Sequence, residues 1–185
     1  MRYVSRSVVT GFVNALAILI FMLGICNGFQ ALIKLGLVPY GEITDTKADD
    51  PTLTFNTIGR HISCMVRTRI ASNKSPWLSN VAVGDVHSIA VSHGEGRFCA
   101  NDAWLNKLVQ NGQVATQYVD LGSEASNETA YNPNDSVMAI EGITSPDGRV
   151  LGKMGHSERC GVDIFKNIDG DKDQKIFEAG VAYFK

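Results

Sequence analysis

An unbroken apolar run from Ala15 to Leu23 ends at Gly24-Ile25-Cys26-Asn27-Gly28, and an amphipathic pattern follows at once. The run has the form of a strand buried on both faces, as in a parallel sheet. Phe29, Leu32 and Ile33 then fall on one stripe of a helix. Gly36 is placed to end that helix in the left-handed conformation with Leu37 as its apolar contact, and Pro39 is expected to block continuation. The spacing therefore predicts strand, tight turn, helix. Farther on, Asp45 to Asn56 is a polar connection. His61 to Ile70 alternates with Ile62, Cys64, Val66, Thr68 and Ile70 on one side, which predicts a strand with Cys64 as a core residue. Asn73 to Pro76 is a turn and Val86 to Ser92 a short strand. Asn101 caps a helix carrying Trp104, Leu105, Leu108 and Val109 that stops at Asn111-Gly112. Gln113 to Val119 reads as a strand, Gly122 to Asp135 as a loop, and Ile143 to Met154 as a hairpin about Pro146-Asp147-Gly148. Ile176, Phe177, Gly180, Val181 and Phe184 suggest a closing helix. The mixture is α/β.

Composition narrows the function. A chain of 185 residues with 44% hydrophobic and 19% charged residues fits one globular domain. A net charge of -2 gives no electrostatic case for nucleic acid or an anionic membrane. Cys26, Cys64, Cys99 and Cys160 form neither a metal-type pair nor a disulfide scaffold, so a cytoplasmic protein with mostly buried thiols is expected. The apolar stretch Val8 to Leu23, with Arg2 and Arg6 ahead of it, resembles a signal peptide. Gly24-Ile25-Cys26 fits a cleavage site poorly, and a buried segment accounts for the same letters. Asp169, Asp171 and Asp173 lack the glycine and glutamate of a calcium loop. No metal site is expected.

The chemistry gathers at three places. Gly24-x-Cys26-x-Gly28 between a strand and a helix is a nucleophile elbow. Side chains at its glycines are expected to collide with neighbouring backbone. The helix N-terminus is expected to lower the Cys26 pKa, and the Asn27 amide can face a developing oxyanion. A thiolate needs a base, and the base needs an orienting partner. In an extended segment His156 and Glu158 project to the same side, so Glu158 can hold His156 in its reactive tautomer. The plainer alternatives are a small buried cysteine beside a turn and an exposed polar turn.

Gly24-Ile25-Cys26-Asn27-Gly28-Phe29-Gln30 resembles the nucleophile motif of class I glutamine amidotransferases. Val91 to Phe98, with His93-Gly94-Glu95-Gly96-Arg97 at its centre, resembles a segment of the glutaminase part of the phosphoribosylformylglycinamidine synthases. Ile143 to Met154 and His156-Ser157-Glu158-Arg159 resemble the final motif of that enzyme family. The resemblance implies a flavodoxin-like three-layer α/β sandwich and a Cys26–His156–Glu158 triad that hydrolyses glutamine. It implies glutamine-site roles for Gln30, His93 and Asn27, with structural hydrogen bonding as the alternative for His93. No cofactor is implied in this chain. ATP and magnesium belong to the synthase domains of the complete enzyme, which would use the ammonia in purine biosynthesis.

Two departures from the pattern stand out. Gly155 and Ser157 occupy positions where prolines commonly flank the histidine. Residues 1–185 also read as a partial domain, without the early strands, the Gly-rich loop that gives the second oxyanion donor, or the upstream synthase domains. An inactive remnant, an amidotransferase of another pathway and a secreted thiol hydrolase are the rival readings.

Overall fold

The computed structural model describes residues 21–185. The apolar run before Phe21, and with it most of the segment behind the signal-peptide reading, lies outside the described residues. Six strands form the main sheet in the order β1-β8-β7-β6-β3-β4: β1 (Met22–Ile25), β3 (Ile62–Ile70), β4 (Val86–His93), β6 (Val114–Tyr118), β7 (Ile140–Thr144) and β8 (Val150–Lys153). β1 runs parallel to β8, with Gly24 opposite Gly152. The other neighbours are antiparallel, so the sheet is mixed. A second, two-stranded sheet pairs β2 (Thr52–Thr54) with β5 (Arg97–Cys99). β2 lies inside the stretch expected to be only a connection.

The sheet is packed on both faces. Val114 and Val150 join the core under helix α1 (Asn27–Lys34), which buries Phe29, Leu32 and Ile33. Their neighbours Ala115 and Leu151 join a different cluster with Ile70, Leu78 and Ile176. Alternate residues of a strand point to opposite faces, so this division marks two covered faces. Helix α2 (Asp102–Gln110) lies with the first cluster. It is capped as expected, the Asn101 side chain accepting from the Trp104 amide at 2.9 Å. Helix α3 (Ile176–Ala182) belongs to the second cluster.

Gly36 takes the left-handed conformation, φ 80°, and helix α1 does not continue through Pro39: Val38 before it is extended, as residues before proline prefer, and only an isolated turn closes at Tyr40 and Gly41. Other local expectations need correction. Cys64 is exposed. It lies on the anticipated side of β3, but β6 pairs with β3 only from Thr68 to Ile70. Helix α3 buries Ile176, Ala179 and Gly180, whereas Phe177, Val181 and Phe184 face outward.

Candidate active site

The elbow is built by conflict between a strand and a helix that start almost on top of each other. A Cβ on Gly24 would sit 2.7 Å from the backbone carbon of Gly28 and overlap Leu32. Gly24 is therefore needed to let α1 fold back across β1. A Cβ on Gly28 would meet nothing within 4 Å, so the expected collision holds for one glycine only. Between them Cys26 has φ 52° and ψ -107°, a conformation costly for a residue with a side chain. Its amide donates to the Lys153 carbonyl at 2.8 Å and its carbonyl accepts from the Gln30 amide at 3.2 Å. The strain is thus held at both ends.

Cys26 and the His156 segment meet on one edge of the sheet. The Cys26 thiol contacts the Ser92 carbonyl at 3.6 Å, and the His156 amide donates to the Ala90 carbonyl at 2.8 Å. Two residues apart on β4, these carbonyls point the same way, off the edge that β3 does not use. β1 and β4 are at opposite ends of the strand order. Their approach at Cys26 means the sheet curls into a half-barrel with the site at its seam.

His156 Nδ1 lies 2.6 Å from Glu158 Oε1. The His156 side chain is 11% exposed and that of Glu158 42%. His156 Nε2 is buried and has no hydrogen-bond partner among the described residues. One nitrogen is thus fixed and the other left available, as a base requires. Arg159 reaches the same Glu158 oxygen at 3.7 Å.

Cys26, Asn27, Gln30 and His93 line one open cleft of about 390 Å³ together with His61, Gly94 and Glu95. His156 and Glu158 are not among its lining residues, although Glu158 and Arg159 are close enough to act on the thiol electrostatically. Gln30 Nε2 donates to the Glu95 carbonyl at 2.7 Å. Burial pushes the Cys26 thiol up, outweighing the Asn27 amide and the Arg159 charge that pull it down. This reverses the expectation of a depressed pKa. Desolvation dominates here, so the thiol needs a base to lose its proton at neutral pH.

Sequence reasoning missed His61, whose Nε2 is 3.1 Å from the Ser92 hydroxyl. It also missed the fully buried pair Glu141 and Lys153. The signal for the pair was visible, since each is the single charge in an apolar strand of one hairpin. Among the described residues no group of His, Cys, Asp or Glu could hold a metal ion, and no helix is long and apolar enough to cross a membrane.

His93 is 4% exposed, and neither ring nitrogen has a hydrogen-bond partner among the described residues. Burial lowers its pKa from 6.5 to about 4, partly opposed by Glu141 and reinforced by His61 and His156. The unfolded chain therefore takes up a proton near pH 6.5 that the folded chain refuses until near pH 4. Stability falls as pH falls through that window. By pH 4.5 the loss is expected to reach about 2 to 3 kcal/mol, and His87, also pushed down by burial, acts in the same direction. Urea midpoints from pH 7 to 4.5 measure it. His93→Gln should flatten the slope, and an unchanged slope would count against this assignment.

A strained cysteine at a strand–helix elbow, with the His156–Glu158 pair tethered to the same strand edge of a curled mixed sheet, marks an α/β domain with a candidate thiol site. The chain belongs to the CobB/CobQ-like glutamine amidotransferase domain family, which it matches over residues 8–184. It is 35% identical over 150 residues to the phosphoribosylformylglycinamidine synthase subunit PurQ of Aquifex aeolicus, covering 81% of this chain and 60% of the relative. It is 39% identical over 151 residues to the PurQ subunit of Prochlorococcus marinus, covering 80% and 58%. The chain thus spans about three fifths of the length of these relatives. Among solved structures, PurLQS from Thermotoga maritima superposes with a TM-score of 0.63 at 27% identity, covering 88% of this chain and 61% of that one. The fold is accordingly that of a glutamine amidotransferase.

Proposed function

We propose that this chain is the glutamine-hydrolysing part of a phosphoribosylformylglycinamidine synthase. The observation that carries the reading is the His156–Glu158 contact of 2.6 Å, with His156 Nε2 unpartnered, set on the same strand edge as the strained Cys26. Cys26 Sγ attacks the side-chain carbonyl carbon of glutamine as His156 Nε2 accepts the thiol proton. The Asn27 amide stabilises the oxyanion. The tetrahedral adduct collapses as His156 returns the proton to the departing ammonia, leaving a γ-glutamyl thioester. Water, deprotonated by His156, then releases glutamate and restores the thiol. Glu158 keeps Nδ1 protonated and stabilises the imidazolium. Gln30, His93 and Asn27 line the cleft where the glutamine would sit.

Similarity to PurQ subunits and to PurLQS supports a synthase partner that receives the ammonia. That partner would use ATP and magnesium to convert formylglycinamide ribonucleotide to its amidine, in the cytoplasm. The site in this chain needs neither cofactor for the hydrolytic half.

The test is labelling with 6-diazo-5-oxo-norleucine, a glutamine analogue that alkylates such thiols, followed by peptide mass spectrometry. The expected result is modification confined to Cys26, suppressed by glutamine and lost in His156→Ala. An unlabelled Cys26 in a chain shown to be folded would remove the glutaminase assignment from these 185 residues.

A further inference from the structure

The two buried charges of the β7–β8 hairpin have no part in the chemistry above. Glu141 and Lys153 are both fully buried and 3.3 Å apart. Removing two ions from water costs several kcal/mol each, and well-packed apolar residues often stabilise a core as well or better. The pair's presence therefore calls for a reason beyond stability, and its remaining bonds supply one. Glu141 accepts from the Thr116 hydroxyl and from the Gly155 amide. Lys153 Nζ donates to the Gly155 carbonyl at 2.9 Å and to the Ser157 hydroxyl at 3.0 Å. The ammonium has three protons, and Glu141, Gly155 and Ser157 match them. Ser157 donates onward to Gln174 Oε1 at 2.7 Å, and Gln174 Nε2 reaches the Thr68 hydroxyl at 3.4 Å.

These bonds fall on the residues immediately before and after His156. The histidine's own tethers are its amide to Ala90, its carbonyl from the Arg159 amide within the same turn, and its ring to Glu158, a carboxylate partly open to solvent. The place of the imidazole relative to the elbow therefore depends on how firmly Gly155 and Ser157 are fixed. A second link runs through the same lysine, whose carbonyl accepts from the Cys26 amide at 2.8 Å. Lys153 thus holds the nucleophile by its backbone and the base-bearing turn by its side chain. Proline at position 155 would lack the amide that Glu141 accepts from, and proline at 157 would lack the hydroxyl that Lys153 donates to.

We propose that the Glu141–Lys153 pair is a positioning device that sets His156 against Cys26. Neither residue lines the substrate cleft, so both act through the Gly155–Ser157 turn. The inference rests on the reading of His156 as the base, and the experiment separates the two. The double variant Glu141→Gln/Lys153→Met removes both charges, keeps an acceptor for the Gly155 amide and cuts the turn's tie to position 153. It should fold and melt near the wild-type temperature. The expected result is a fall in kcat of about 30- to 100-fold with KM for glutamine unchanged, since Gln30 and Asn27 are untouched. In ¹⁵N-histidine-labelled protein, the downfield His156 Nδ1 proton, assigned by its absence in His156→Ala, should be sharp in the wild type and broadened in the variant. Ser157→Ala, which removes one anchor and leaves the ion pair, should show the same two changes to a smaller extent and carries the test if the double variant fails to fold. A resonance as sharp as wild type in the folded variants would overturn the proposal whatever the turnover. A wild-type chain without glutaminase activity would strike the earlier reading, and the resonance would still decide this one.

Discussion

Cys26→Gly should abolish glutamine hydrolysis and raise the melting temperature. The two effects have one origin. Cys26 is held at φ 52°, ψ -107° by the Lys153 carbonyl on one side and the first turn of α1 on the other. A conformation of this kind costs about 1 to 3 kcal/mol for a residue with a Cβ and little for glycine. Glycine gives back about 0.5 to 1 kcal/mol through the greater freedom of the unfolded chain. The net gain is about 1 kcal/mol, or roughly 2 to 4 °C for a domain of this size. Turnover should fall by about 10⁴-fold or more, as when a triad nucleophile is removed. Cys26→Ala is the control, equally inactive but without the thermal gain. Calorimetry and a glutamate-release assay read both quantities. A melting temperature for Cys26→Gly at or below that of Cys26→Ala would mean that the elbow stores no strain.

A large loss of stability from a one-carbon change is expected at Gly24. The added methyl of Gly24→Ala would lie 2.7 Å and 2.8 Å from the carbonyl carbon and oxygen of Gly28. Those are backbone atoms of α1, so relief requires the helix to move off the sheet. A cost of about 3 kcal/mol or more follows from overpacking against backbone, with loss of the elbow geometry and hence of turnover. Gly28→Ala has open space around it and stands in the first turn of a helix, where alanine is the better former. It should melt at or above the wild-type temperature. Equal destabilisation by the two substitutions would contradict the packing described for the elbow.

These glycines also mark where the sequence stopped being informative. The strand–turn–helix order, the Asn101 cap and the hairpin about Gly148 were legible because each depends on neighbours in the chain; the His156–Glu158 contact was expected from an extended segment, but it forms across a turn closed by the Arg159 amide on the His156 carbonyl. Gly24 and Gly28 look alike in sequence, and their difference lies in which one α1 crosses. Cys64 fits the alternation of β3, yet its exposure is set by where β6 stops. The thiol pKa was misjudged because the local helix terminus could be read and the surrounding burial could not. Gly155 and Ser157 were seen only as departures from a motif. What holds them is the Glu141–Lys153 pair, Glu141 at the Gly155 amide and Lys153 at the Gly155 carbonyl and the Ser157 hydroxyl, a contact between strands that no local pattern announces.

The curl of the sheet has a consequence for how the chain comes off the ribosome. Cys26 is among the first of the described residues to be made, but its amide is held by Lys153 and its thiol rests on Ser92. Among the described residues β1 finds its strand partner only in β8. Pairings between such distant segments close late. Cys26 is thus synthesised early and placed late, and a chain released before the β7–β8 hairpin would carry it without His156, its proposed base.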